Sequence, residues 1–107
     1  MVLIMINSWF PPGKSAEIGK KYIEIMKKYP RDKSLYKVVL DVGVRATKDG
    51  MNSISMLEVK EGKFKESMEI VSKRQLMLSE IEGYSYETNV FMSGTEAMPL
   101  VGLAMPE

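Results

Sequence analysis

The stretch LYKVVLDVGVRATKDGMNSISMLEV, residues 35–59, decides the fold: two apolar, β-branched runs meet at Asp49-Gly50. A two-residue primed turn needs positive φ at both central positions, which Asp-Gly adopts at little cost, so the stretch predicts an antiparallel hairpin. Counting outward from that turn pairs Lys48 with Met51, Thr47 with Asn52, Arg45 with Ile54, Gly43 with Met56 and Asp41 with Glu58. Alternation then places Lys37, Val39, Asp41, Gly43 and Arg45 on one face of a strand over 35–47. Tyr36, Val38, Leu40, Val42, Val44 and Ala46 take the drier face, in register with Leu57 and Val59.

Working outward, Val2–Phe10 is β-branched and aromatic and is stopped by Pro11-Pro12-Gly13, which cannot extend a ladder. Ser15 is expected to cap a helix running to Tyr29. Glu17 sits in its first turn, and Ile18, Tyr22, Ile25, Met26 and Tyr29 recur at helical spacing before Pro30. A second helix is predicted over Phe64–Glu82 from Phe64, Met68, Val71, Leu78 and Ile81, with Gly83 as a left-handed C-cap. Tyr84–Ser93 alternates again and reads as a fourth strand.

Composition bounds the chemistry. The chain has 107 residues, 15 Lys plus Arg against 14 Asp plus Glu, and neither His nor Cys. That is one domain, without a Ser-His triad, a Cys nucleophile or an ordinary zinc site. A net charge of +1 creates no field to gather nucleic acid, so none is expected as a partner. No apolar run approaches the ~18 residues that span a bilayer, so no membrane partner is expected either. Met1–Ile6 is apolar but lacks a preceding basic segment and a following cleavage site, which points to the cytoplasm.

The order strand, helix, strand, strand, helix, strand predicts an α+β, ferredoxin-like domain over residues 1–93. Its four-stranded antiparallel sheet should have strand order 4-1-3-2, with two helices on one face. The other face would carry Leu3, Met5, Asn7, Trp9, Ile54 and Met56, an apolar patch that predicts a homodimer or higher homo-oligomer. Residues 94–107 form a C-terminal arm. Its Met98, Leu100, Val101, Leu103 and Met105 are too apolar for a free tail and should pack on the body or on the partner.

This pattern of elements, the hairpin and the two-sided apolar first strand resemble the dimeric α/β-barrel superfamily over roughly residues 1–93. The resemblance implies two chains pressing their open sheet faces together. The superfamily includes small cofactor-independent monooxygenases, stress-responsive barrel domains, haem-degrading enzymes and muconolactone-isomerase-like proteins. Its haem-handling members typically ligate iron through His, which this chain lacks. Its monooxygenases typically combine Asn, Trp, Tyr and Arg, types that Asn7, Trp9, Tyr36 and Arg45 supply, and no cofactor is implied.

Two clusters are candidate sites. Asp41 opposite Glu58 would form an acid–base pair, because like charges at that distance raise one pKa, with Arg45 binding an oxyanion. The alternative is a charged network that keeps an edge strand from aggregating. Asn7, Trp9, Arg45, Met56 and Asn89 would hold a small planar molecule, or else pack a dimer with Asn7 bonded to Asn89. Pro11-Pro12-Gly13-Lys14-Ser15 resembles the end of a phosphate-binding loop. However, Ser8 stands where the first glycine belongs, and the hairpin breaks the βα alternation of such proteins, so the stretch reads as a turn and cap. Tyr22, Tyr29, Tyr84 and Tyr86 read as packing residues. Two functions remain open: a small-molecule-binding protein performing cofactor-independent oxygenation or isomerisation, and a non-catalytic assembly module.

Overall fold

The computed structural model describes residues 1–106 and follows the predicted order of elements. Strands β1 (Val2–Phe10), β2 (Tyr36–Thr47), β3 (Gly50–Val59) and β4 (Ser85–Met92) form one antiparallel sheet in the order β2-β3-β1-β4. This is the predicted 4-1-3-2 read from the opposite edge. Helices α1 (Ser15–Lys28) and α2 (Phe64–Leu78) cover one face, and a short helix α3 (Gly94–Ala97) follows β4.

β1 is central because it is apolar on both sides. Its Ile4, Ile6 and Phe10 are buried beneath the helices, where Leu35, Tyr36, Leu57, Val59 and Val71 complete the core around Ile4 and Ile6. Arg74 of α2 ties the helices together. Its Nε and Nη2 donate to the Tyr29 carbonyl at 3.1 and 2.7 Å, and Nη2 also donates to the Tyr36 hydroxyl at 2.8 Å. The guanidinium thus satisfies a carbonyl left open where α1 ends.

The hairpin differs from its predicted register. Thr47 pairs with Gly50, so Lys48 and Asp49 make the turn. Gly50 alone takes positive φ (128°) there. Thr47 Oγ1 accepts from the Asp49 amide at 3.2 Å and donates to the Gly50 carbonyl at 2.7 Å, which stabilises this turn without a left-handed Asp49. Arg45 therefore faces Asn52, and Gly43 faces Ile54.

Further along, the register shifts between Val38 and Leu40 and again between Leu40 and Gly43. Lys37, not Asp41, stands opposite Glu58, and Val38 and Tyr36 pair with Leu57 and Val59 in place of the expected Val42 and Leu40. Leu40 moves to the helix-free face, where a Cβ on Gly43 would lie 3.6 Å from its methyl and 3.7 Å from Ile54. Asp41 turns toward α1. A bulge is cheap here because β2 is an edge strand with one ladder to satisfy.

Local ends differ too. Ser15 is the first residue of α1, and its hydroxyl donates to the Pro12 carbonyl at 2.8 Å instead of capping the helix. α1 stops at Lys28 and α2 at Leu78, four residues short of Glu82. Gly83 does take positive φ (87°), but it serves the turn into β4. Any Cβ there would come within 2.7 Å of the Pro11 ring, so glycine lets the end of β1 close against the start of β4. In the arm, Leu100 and Val101 are 74% and 72% exposed and do not pack on their own body.

Candidate functional site

A cavity of about 300 Å³ lies between the sheet and the helices. β1 contributes Ile6, Ser8 and Phe10, α1 contributes Ile18, Gly19 and Tyr22, and β2 contributes Asp41, Val42 and Val44. Met51, Ser53, Ile54 and Ser55 of β3, Gln75 and Leu78 of α2, Ser15 at the start of α1, and Tyr84 complete it. The two-residue period explains every strand contributor except Asp41, which the bulge delivers, and Ile54, whose ladder partners Asn7 and Gly43 lie on the helix-free face. Gly19 is exposed at the mouth; a glycine inside a helix costs about 0.5–1 kcal/mol relative to Ala, and here it leaves the entrance wide.

The cavity has two polar ends. At one, the Ser8 and Ser53 hydroxyls hydrogen-bond each other, and the Tyr84 hydroxyl donates to Gln75 Oε1 at 2.6 Å. Phe10 stacks on Tyr84 with ring centroids 6.5 Å apart, and Tyr86 follows at 6.2 Å from Tyr84. At the other, Asp41 accepts from the Tyr22 hydroxyl at 3.2 Å and pairs with Arg31. The walls between are mostly apolar, with Ser55 among them.

Burial pushes the Tyr84 phenol above its ordinary value near 10; the Ser8 hydroxyl pulls it partly back, and Tyr86 adds to the rise. The folded state thus holds this proton more tightly than the unfolded chain. The stabilisation is complete below pH about 10 and is lost as pH rises through the folded value. Urea midpoints measured upward from pH ~8 should therefore fall more steeply above pH ~10 in the wild-type protein than in Tyr84→Phe, which has no proton to lose there. Equal slopes would refute this coupling.

The helix-free face holds the remaining sequence candidates. Asn7, Trp9, Met56, Glu58 and Asn89 lie on it with Leu3, Met5 and Ile54, as the strand pairing requires. Their partners differ from expectation. Asn7 stands opposite Glu87, whereas Asn89 stands opposite Met5, so no Asn7–Asn89 bond forms. Asn52 takes that role: its Nδ2 donates to Asn7 Oδ1 at 2.7 Å and to the Ser8 carbonyl at 2.9 Å, and its Oδ1 accepts from Arg45 Nε at 3.0 Å. Arg45, Asn52 and Trp9 consequently form one transverse row.

The structure therefore separates the two carboxylates, Asp41 toward the cavity and Glu58 on the open face, and the geometry for an acid–base pair is absent. Ser8, Ser53, Gln75 and Tyr84, and Tyr22 beside Asp41, are the cavity residues that sequence reasoning missed. The three apolar residues Val38, Val39 and Leu40 in succession, followed by Gly43, were the available signal for the bulge. Nothing local marked Gln75.

No family model and no curated protein matches the sequence. Among solved structures, a Deinococcus radiodurans protein described as a candidate antibiotic biosynthesis monooxygenase is similar at 10% identity and TM-score 0.58, covering 88% of this chain and 93% of that one. A mutant of SnoaB, a cofactor-independent oxygenase from Streptomyces nogalater, is similar at 11% identity and TM-score 0.54, covering 87% and 93%. The de novo designed protein Foldit4 is similar at 14% identity and TM-score 0.56, covering 86% and 96%. The chain has the ferredoxin-like fold, which it shares with these solved structures. A designed protein shares it, so the fold alone assigns no activity. No helix among the described residues is long and apolar enough to cross a membrane.

Proposed function

We propose that this protein is a cytoplasmic homodimer that binds a small organic molecule in the cavity between sheet and helices. Cofactor-independent oxygenation or isomerisation is the chemistry we favour, because the cavity offers hydroxyls, an amide and one carboxylate. The observation that carries the reading is the cavity itself: an apolar space of about 300 Å³ with neutral hydrogen-bonding groups gathered at one end. Sites of this size and make-up are typical of small-molecule pockets, at the lower bound of roughly 300–1,000 Å³. Asp41, aided by Tyr22, is the group positioned to exchange a proton at the opposite end.

Dimerisation is supported by shape. The chain is a slab of 49 × 32 × 19 Å, thick enough for one sheet and one helix layer, with Trp9, Leu40, Ile54 and Phe91 between 36% and 45% exposed. Its radius of gyration is 15.5 Å, against about 13 Å for a compact domain of this length. A second copy laid on the open face would turn the slab into a closed two-sheet body. In that assembly Asn7, Trp9, Arg45, Met56, Glu58 and Asn89 serve the interface, and the apolar arm packs against the partner.

Native mass spectrometry of freshly purified protein tests both parts. We expect a dimer carrying an additional small-molecule mass that Asp41→Asn or Gln75→Met reduces. A bare monomer would overturn the assembly. A dimer that takes up no small molecule, alone or from a panel of aromatic compounds, would favour the non-catalytic assembly module.

A further inference from the structure

Gln75 is only 8% exposed and faces both the main cavity and a narrower recess beside Arg74. Its Oε1 accepts the Tyr84 hydroxyl proton, which fixes the rotation of the amide and turns Nε2 the other way. Nε2 has no hydrogen-bond acceptor among the described residues. Neither is it sealed in, since no fully inaccessible side-chain nitrogen or oxygen lacks a partner. It therefore reaches accessible space as an unmatched donor on a residue that lines the main cavity. Water can satisfy such a donor, and a ligand acceptor entering the cavity would take that water's place.

We propose that Gln75 Nε2 is the ligand-binding donor of this cavity, and that its ligand is an uncharged molecule of one or two rings carrying a carbonyl oxygen. The inference rests on the small-molecule reading above and specifies it. A carbonyl fits because Nε2 can only donate. An uncharged ligand fits because the Ser8, Ser53, Gln75 and Tyr84 end contains no cation or carboxylate, and an ion placed there would lose its hydration uncompensated. One or two rings fit the volume and could lie against Phe10 and Tyr84. Tyr84 is a positioning residue: it acts on the ligand through the amide that it orients.

Prodan, a neutral naphthalene ketone whose emission moves to longer wavelength when its carbonyl accepts a hydrogen bond, tests the proposal. Dimethylaminonaphthalene, which lacks the ketone, is the control. Each dye is titrated into the wild-type protein, Gln75→Met, Gln75→Glu and Tyr84→Phe, with folding checked by circular dichroism. We expect both Gln75 variants to weaken prodan binding by about three- to tenfold and to shift bound emission to shorter wavelength. Affinity for the control dye should change less than about twofold, and Tyr84→Phe should give an intermediate emission shift. Equal losses for both dyes, or bound prodan emission unchanged in the Gln75 variants, would overturn the assignment while leaving the cavity reading intact. Failure of the wild-type protein to bind either dye would sink the cavity reading and this inference with it.

Discussion

Met5→Glu is expected to convert the proposed dimer to monomers. Met5 sits at the middle of the central strand on the open face, between Met56 and Asn89. In a two-fold assembly each copy contributes the same residue, so a single substitution places two carboxylates in the apolar interface. Leaving a buried charge unpaired costs about 3–5 kcal/mol, and two of them should weaken the dimer by at least about 10,000-fold. Met5 lies outside the helix-covered core, so the monomer should stay folded. Sedimentation velocity with a far-ultraviolet circular dichroism control measures both. A folded dimer that tolerates Met5→Glu would place the interface elsewhere, and the exposed arm would be the next surface to examine.

Ile4→Ala carries the largest expected effect on folding. One position from Met5, its side chain points the opposite way and is fully buried, with Leu57 and Val90 as cross-strand partners. Removing three buried carbons costs about 2–5 kcal/mol, depending on how far Val71 and Leu57 relax into the space. Total stability of a domain this size is about 5–15 kcal/mol, so a substantial share of it should disappear. The expected readout is a fall in Tm on the order of 10–20 °C, with an unchanged urea m-value. A loss below about 1 kcal/mol would mean that the layer between sheet and α2 is loosely packed. The contrast between positions 4 and 5 reduces the two-faced role of β1 to neighbouring residues, one in the helix-covered core and the other on the open face of the proposed dimer.

Much of the architecture was legible in the sequence. The Pro11-Pro12 stop, the Pro30 stop, the turn near Gly50 and the alternation of β1 are local features, and each acts through the backbone conformation of a few residues. Helical periodicity found α1 and α2 for the same reason, although the end of α2 was lost because Ile81 packs into the core from a turn. The hairpin register was not legible. A slip of two residues leaves every side chain on its own face, so alternation cannot detect it. Only a one-residue change at the bulge alters the face, and Val38-Val39-Leu40 is apolar throughout and does not say where that change falls.

The candidate site divides along the same line. Asn7 and Trp9 on the open face followed from period two, and so did the open face of Glu58. The inward turn of Asp41 did not, because it depends on Arg31 and Tyr22, which belong to other segments of the chain. By itself the sequence determined the order of the elements, the order of the strands and the two-faced character of β1, since local propensity and short connections leave few other arrangements. Only the tertiary structure decided the β2–β3 register, the direction of Asp41 and the meeting of Ser8, Ser53, Gln75 and Tyr84. Those side chains come from four distant segments, and their contacts exist only once helix and sheet have packed at a particular depth and rotation.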